Sequence, residues 1–241
     1  MRRAEREALA LALLHGPLEL LPVSSSGHVA ALPRLLGWEL AGWDAARRKE
    51  LEVVLHAGTL CALPLVAPLR RPRWALLLAA VVPPGVAGLL GERWVQARLG
   101  TPATLAAGLL GGGLALALAD RRTESRSTAD ADWRDGLWLG FAQVAALMPG
   151  VSRSGATLAA ARARGFSRVD ASRLSWEVAW PVLAGATGLK AMRGRPAAGP
   201  FLAACASTLV AGRMLGAERR RPLWPWAVWR ASLAIAVLAR T

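Results

Sequence analysis

Long apolar tracts recur along this sequence and limit what it can fold into. Crossing the hydrocarbon core of a bilayer takes about 20 helical residues. Candidate spans of roughly this length lie at 51–69, 75–91, 103–119, 174–191, 199–216 and 223–239. Because 54% of the residues are hydrophobic and the mean hydropathy is +0.33, the sequence predicts an all-α, polytopic membrane helical bundle rather than one soluble core. We expect residues 1–241 to form a single integral membrane domain.

Two further apolar regions are interrupted in the middle by a proline and a polar motif. Region 7–37 is broken at Pro22, before the run "VSSSGH", and region 136–162 is broken at Pro149-Gly150, before "VSRSGA". Irregular backbone at membrane depth is tolerated only where it is buried in protein or lines a wet cavity. The sequence therefore predicts two broken helices that line an internal polar chamber.

The two breaks share the pattern Val-Ser-x-Ser-Gly, at residues 23–27 and 151–155. Corresponding breaks in two halves of a chain indicate repeated halves whose broken helices meet at a central site. We expect the halves to cover about 1–118 and 136–241, joined by an exposed polar loop at 119–135.

The net charge of +14 is compatible with nucleic-acid binding, but the distribution of the arginines argues against it. They cluster in short gaps between the apolar tracts, at 70–73, 121–122, 193–195 and 219–221. Such clusters mark segment ends or contacts with anionic lipid headgroups. No basic, aromatic-studded soluble domain remains outside the apolar tracts, so we expect membrane lipids and no nucleic acid as partners.

The breaks also carry residues suited to binding phosphate. Serine is a favoured N-cap, and one interpretation is that the serines after Pro22 and Gly150 only begin helices. Two such starts together, with free N–H groups and hydroxyls, form a phosphate cradle. Arg153 adds a planar donor fork, and an arginine at this depth needs a partner. We interpret that partner as an anionic ligand; the structural alternative is an ion pair with Glu19.

Glu19 and His28 complete a set of reactive groups. A carboxylate inside an apolar tract is a functional candidate by default. His28 follows three serines and can act as nucleophile, general base or general acid at phosphorus, although a lone histidine is more often a hydrogen-bonded core residue. Carboxylate, imidazole, hydroxyl and guanidinium together form a phosphoryl-transfer set. We expect Glu19, His28 and Arg153 to share one pocket.

Three segments carry a family resemblance. "LELLPVSSSGHVAALPRLLG", "KELEVVLHAGTLCALPLV" and "LMPGVSRSGATLAAARARGFSRVDASRLSWEVAWPVLAGA" resemble the three signature regions of the bacterial undecaprenyl-diphosphate phosphatase family, the bacitracin-resistance phosphatases. The resemblance implies a multi-pass enzyme of the bacterial inner membrane with inverted-repeat halves and two re-entrant broken-helix regions. Such an enzyme hydrolyses undecaprenyl diphosphate, a polyprenyl diphosphate lipid, to the monophosphate and so recycles the cell-wall lipid carrier.

The family's functional positions fall on matching residues of this chain. The expected catalytic residues are Glu19, Ser25, His28 and Arg153. The expected substrate-binding residues are Ser24, Ser26, Gly27, Ser152, Ser154, Gly155 and Thr157. The resemblance implies a divalent cation, Mg²⁺ or Ca²⁺, which we expect to bridge Glu19 and phosphate oxygens. His28 is our first choice as nucleophile or acid–base group, and Ser25, activated by His28, is the alternative nucleophile.

The chain departs from the family pattern at two places. His15 stands where the first acid of a Glu-x-x-x-Glu motif is expected, and Glu177 stands where an apolar residue is usual. His56 stands where many members have Gln or His. We hypothesise that His15 or Glu177 replaces the missing acid as a cation ligand.

Two other classes of protein have similar sequence features. A lipid-phosphate transporter or flippase can use the same broken-helix site. The type 2 phosphatidic-acid phosphatases need a histidine after their Ser-Arg pair, and none follows Arg153. The tryptophans after residue 223 suit an aromatic belt at the membrane interface. The sequence leaves the oligomeric state open, a homodimer included.

Overall fold

The regular elements of this protein are helices. The computed structural model describes residues 2–68, 72–191, 197–214 and 221–240. The α-helices are α1 Arg3–Leu20, α2 Ser25–Leu35, α3 Ala45–Val66, α4 Trp74–Leu99, α5 Pro102–Ala119, α6 Trp133–Ala145, α7 Arg153–Ala163, α8 Arg168–Ala191, α9 Ala198–Met214 and α10 Trp224–Leu238. Short 3-10 helices lie at Glu39–Gly42 and Thr128–Asp130. The all-α prediction is confirmed for this part of the chain.

Each of the six predicted spans falls largely within one helix, α3, α4, α5, α8, α9 or α10. Among the described residues, two helices are long and apolar enough to cross a membrane by length and composition alone: α4 over Trp74–Gly91 and α5 over Pro102–Ala119. α3 and α8 carry charged residues near their N-terminal ends, and α10 is a shorter apolar helix.

The outward faces of the apolar helices suit a hydrocarbon environment. Leu89 and Leu90 on α4 are 77% and 82% exposed, and Leu114 on α5 and Ile235 on α10 are also exposed. Soluble monomers rarely expose large contiguous apolar patches. These side chains are therefore suited to contact lipid rather than water.

Both predicted breaks separate two helices. α1 ends at Leu20, two residues before Pro22, and Leu21 has the extended backbone that a following proline favours (φ −92°, ψ 152°). α6 ends at Ala145 and α7 begins only after Pro149-Gly150. A proline lacks an N–H group and so favours a break, although Pro17 and Pro64 lie inside α1 and α3. The sequence pattern thus located both interruptions.

Glycines allow the long helices to approach closely. α1 packs on α9, which also contacts α3, while α4 packs on α6 and α5 on α10. Gly16 of α1 lies against the backbone of α9, Gly58 of α3 against Phe201, and Gly136 of α6 against the backbone of Leu76. Small residues at such crossings are typical of helix packing in membranes.

The linker at 119–135 is only partly the exposed loop that the sequence predicts. Residues at its centre are exposed, but Asp120 and Asp135 are buried. The buried guanidinium of Arg162 donates to Asp120, and Arg126 and Arg164 both donate to Asp135. Buried charges require such partners. The linker is therefore fixed to the end of α7 by ion pairs.

Parts of the predicted pattern cannot be compared with the structure. Outside the described residues lie the basic cluster 193–195, residues 70–71 and 219–220 of two other clusters, and the ends of two predicted spans at 69 and 215–216. The cluster Arg121-Arg122 is described and directly follows α5, as expected of a segment end.

The glycine crossings give a stability prediction. A Cβ at Gly136 would overlap backbone atoms of Leu76, which cannot move without shifting α4, so Gly136→Ala should destabilise the fold. Overpacking of this kind costs about 1–3 kcal/mol. We expect a lower thermal unfolding temperature in detergent for Gly136→Ala. The matched control is Gly111→Ala on α5, where the added methyl meets open space. Equal unfolding temperatures for the two variants would contradict the α4–α6 packing.

Candidate functional site

The two helix starts at the breaks have the same local structure. Ser24 and Ser152 are the residues that precede α2 and α7, and both have positive φ, 72° and 67°. The Ser24 hydroxyl accepts a hydrogen bond from the N–H of Gly27 at 3.2 Å, and that of Ser152 accepts from Gly155 at 3.1 Å. The capping interpretation is therefore confirmed. The Ser24 hydroxyl still has one hydrogen to donate, whereas the Ser152 hydroxyl is also within 3.2 Å of the Ser154 hydroxyl.

Two contacts join the breaks to each other. Nη2 of Arg153, the first residue of α7, donates to Oε1 of Glu19 at 2.6 Å. The Ser154 hydroxyl donates to the carbonyl of Leu21 at 3.3 Å. Residues separated by more than half of the chain thus meet at one place.

Glu19 is the centre of this arrangement. It is buried, and its two carboxylate oxygens have different partners. Oε1 accepts from Arg153, while Oε2 accepts a short hydrogen bond from the Ser25 hydroxyl and lies 3.7 Å from Nε2 of His56. A buried carboxylate with a guanidinium and a hydroxyl is stable as the anion. The pairing also aligns the Ser25 hydroxyl with a potential proton acceptor.

Arg153 forms the ion pair with Glu19 that was the structural alternative, but the pair does not satisfy the guanidinium. Its Nε and Nη1 atoms are buried and have no hydrogen-bond partner among the described residues. Its carbon Cζ lies 5.0 Å from the ring centroid of Trp176, a cation–π contact. A buried donor without a partner costs about 1–3 kcal/mol. Two free donors beside a helix start are suited to an anion.

His28 has partners at the start of α2 and on α10. Its Nδ1 lies 2.8 Å from the carbonyl of Ser24, and because a carbonyl only accepts, Nδ1 carries the hydrogen. Nε2 accepts a hydrogen bond from the indole of Trp229 at 2.9 Å, with the two rings stacked. No hydrogen bond or ring contact in the described part of the chain joins His28 to Glu19, Ser25 or Arg153.

Direct contacts join only two of the three residues expected in one pocket, and the common pocket stays a prediction. Glu19 and Arg153 are in direct contact, whereas His28 has partners of its own. The Ser25 hydroxyl donates to the carboxylate of Glu19 rather than to His28, and activation of Ser25 by His28 stays a prediction. Ser25 has its partner on α1, at Glu19, and His28 has its partner on α10, at Trp229.

The remaining candidate binding residues differ in whether their side chains are free to bind a ligand. Ser26 is half-buried, and no hydrogen bond of its side chain is described. Thr157 is fully buried, and its hydroxyl bonds the carbonyl of Arg153 at 2.9 Å and the hydroxyl of Ser175. A Cβ at Gly27 would lie 2.9 Å from Ser24, and one at Gly155 would lie 2.6 Å from Nη1 of Arg230. Both glycines thus leave the helix starts uncrowded.

Arg230 on α10 is a residue that sequence reasoning missed. Its side chain is completely buried and donates to the carbonyls of Leu109, Gly150 and Val151. Two of these carbonyls belong to the second break, so Arg230 fixes the backbone there. Its Nη1 has no partner among the described residues. An arginine within an apolar span was the signal that could have identified it. Trp229, its neighbour, was interpreted only as part of an aromatic belt.

A second cluster lies beside Glu19. His15 and His56 each offer a nitrogen, and with a Glu19 oxygen these ligand atoms lie within 4.8 Å of one another. Nδ1 of His15 is 3.1 Å from the Thr59 hydroxyl, and its Nε2 is buried without a partner in the described residues. These three residues can hold a metal ion.

Glu177 is not part of this cluster. It forms two hydrogen bonds with the guanidinium of Arg73, one of them from Nε at 3.1 Å. Of the two residues expected to replace the missing acid, only His15 lies beside Glu19.

Comparison with known proteins identifies the family. The family model for bacitracin resistance protein BacA matches residues 8–68 and 67–236. An undecaprenyl-diphosphatase of Geobacter sulfurreducens is 36% identical, with 96% of each chain covered. Another, from Gemmatimonas aurantiaca, is 32% identical over 97% of this chain and 96% of its own, and one from Geobacter metallireducens is 38% identical over 76% and 74%. The chain therefore belongs to the BacA family of bacitracin resistance proteins, and it is a helical membrane protein.

Proposed function

We propose that this protein hydrolyses undecaprenyl diphosphate to undecaprenyl phosphate and inorganic phosphate, and so returns the lipid carrier to cell-wall synthesis. Its family and the names of its relatives support this reaction. The observation that carries the proposal is Arg153, whose guanidinium is bound to Glu19 and has two buried nitrogens without a partner among the described residues. The diphosphate of the substrate provides the acceptors that these donors lack.

The start of α7 binds the diphosphate in this proposal. The first N–H groups of a helix have no partner within the helix, and the helix dipole favours an anion there. Arg153 is the first residue of α7, so its side chain and the first-turn N–H groups act on one ligand. The hydroxyls of Ser152 and Ser154 are 3.2 Å apart at the same place, and Ser154 has to release the carbonyl of Leu21 before it can donate to the ligand.

Ser25 is the proposed nucleophile, because its hydroxyl already donates to a buried carboxylate. Its Oγ attacks the terminal phosphorus, the bond from that phosphorus to the bridging oxygen breaks, and undecaprenyl phosphate leaves. Glu19 accepts the hydroxyl proton. Water then hydrolyses the phosphoserine, which releases inorganic phosphate and restores Ser25. Positioning and charge stabilisation supply most of the rate in phosphoryl transfer.

His28 remains the alternative attacking or acid–base group. Its Nε2 carries the lone pair, and Trp229 must release this nitrogen before it can react. His15, Glu19 and His56 can hold a divalent cation, which would neutralise charge on the phosphate oxygens.

We further propose a multi-pass arrangement in the bacterial inner membrane, with two inverted-repeat halves and re-entrant helix pairs α1–α2 and α6–α7. The matching caps at Ser24 and Ser152 support the repeat. So does the packing, because α1 contacts α9 and the corresponding helices α6 and α4 contact each other. The exposed apolar faces of α4 and α5 support the membrane location.

Hydrolysis is tested by phosphate release. Purified protein in detergent should release inorganic phosphate from undecaprenyl diphosphate, and Arg153→Ala should lower the rate about 10²–10³-fold, as for other preorganised donors. Arg98→Ala, which removes an exposed arginine of α4, is the matched control and should leave the rate unchanged. Absence of phosphate release by the wild-type protein would favour the transporter, and a near wild-type rate for Arg153→Ala would refute the assignment of Arg153.

The nucleophile is tested by trapping. Substrate labelled in the terminal phosphate, followed by an acid quench and mass spectrometry, should give phosphoserine at residue 25, since phosphoserine survives acid and phosphohistidine does not. Ser25→Ala should abolish both label and turnover. Ser232→Ala, which removes an exposed hydroxyl on α10, should change neither. Label on His28 under a neutral quench, with none on Ser25, would assign the attack to His28.

A further inference from the structure

The cluster of His15, Glu19 and His56 has the arrangement of a metal site. His15 and Glu19 are one helical turn apart on α1, so both side chains project from the same face. His56 reaches them from α3, and the His15 and His56 rings meet edge to face with centroids 4.8 Å apart. His15 and Glu19 are buried, and His56 is largely so. Three potential ligands thus converge in a largely buried site.

In both histidines, a contact of Nδ1 with a neighbouring oxygen orients the ring. The Nδ1 of His56 lies 2.7 Å from the carbonyl of Glu52, so this nitrogen donates and Nε2 carries the lone pair. The Nδ1 of His15 lies 3.1 Å from the hydroxyl of Thr59, which is itself 3.1 Å from the hydroxyl of Thr208. Metal-binding histidines are usually fixed by such outer contacts on the second nitrogen.

The free nitrogen of His15 requires an explanation. Its Nε2 is completely buried, yet no described residue donates to it or accepts from it. A buried polar atom without a partner is destabilising, and the ordinary core histidine avoids this by bonding through both nitrogens. A cation bound jointly by His15, Glu19 and His56 would give this nitrogen a partner and remove the cost of burying it.

We propose that His15, Glu19 and His56 bind a divalent transition-metal ion of the Zn²⁺ and Co²⁺ type, rather than Mg²⁺ or Ca²⁺. Mg²⁺ and Ca²⁺ take oxygen ligands, whereas imidazole nitrogen suits Zn²⁺, Co²⁺ and their neighbours. Two nitrogens and one carboxylate oxygen therefore do not fit the expected Mg²⁺ or Ca²⁺. The role of the ion in turnover rests on the proposed function; its binding does not.

The site is of the open, catalytic kind. Three protein ligands leave a further position for water or substrate, whereas structural zinc sites are closed by four. Glu19 connects this position to the remaining groups, because the same carboxylate bonds Arg153 and Ser25. A phosphate oxygen bound beside Arg153 is therefore adjacent to the ion-binding residues.

Metal binding without substrate tests this site. The protein carries Cys61→Ser and Cys205→Ser, which remove thiol ligands, and a chelator strips bound metal from it. The purified protein is then titrated with Zn²⁺, Co²⁺, Mg²⁺ and Ca²⁺ in detergent. We expect about one equivalent of Zn²⁺, a Co²⁺ absorption band typical of nitrogen ligation, and no displacement by millimolar Mg²⁺ or Ca²⁺.

Variants of the three histidines provide the comparison. Since loss of even an outer-shell partner lowers metal affinity about 10–100-fold, His15→Ala and His56→Ala should each weaken Zn²⁺ binding by at least that factor. The chain has three histidines, and His28→Ala removes the one outside the cluster, so it should bind Zn²⁺ as the parent does. Circular dichroism checks folding. His15→Glu should shift the preference towards Mg²⁺ and Ca²⁺.

The outcomes separate this inference from the proposed function. Unchanged Zn²⁺ affinity in His15→Ala and His56→Ala, or equal competition by Mg²⁺, would overturn the metal assignment even if the protein hydrolyses the lipid. Zn²⁺ binding that depends on both histidines, in a protein that releases no phosphate, would support the site and refute the phosphatase.

Discussion

The ion pair between Arg153 and Glu19 is the contact on which the site depends. It connects the first residue of α7 to the end of α1 and so draws together two helix breaks that are far apart in the sequence. The pair is buried, and the cost of removing its two charges from water is offset only when the remaining donors and acceptors also have partners. Ser25 and Trp176 meet part of this requirement, and two guanidinium nitrogens, which have no partner in the part of the chain that the structure describes, remain for a ligand.

Local sequence patterns predicted the parts of the fold that local chemistry determines. Pro22 and Pro149 lie in the two breaks, and the serines after them cap the next helices, whereas Pro17, Pro64 and Pro181 lie inside helices, so the combination of proline and Ser/Gly motif was the informative signal. The six apolar windows coincide with helices, since apolar runs of that length have few other stable forms in a membrane. Glu19 and Arg153 were recognisable because a charge in an apolar tract is costly without a partner.

The rest depends on contacts between distant helices. Trp229 and Arg230 reach the site from α10, and nothing near them in sequence indicates that α10 packs beside α5 and α2. The separation of His28 from Ser25 likewise depends on which helices surround α2. Asp120 and Asp135 lie in a segment that reads as solvent-exposed, and only the buried Arg162 and the arginines around Asp135 explain why they are fixed.

The left-handed backbone at Ser24 and Ser152 restricts which residues evolution can place there. Glycine adopts that conformation freely but has no oxygen to cap the helix, and alanine has neither property. Asparagine and aspartate combine tolerance of positive φ with a capping oxygen, but an aspartate would bring negative charge to a helix start intended for phosphate. Few residue types therefore fit positions 24 and 152. The residues that a distant homologue has at these positions indicate whether it binds the same ligand.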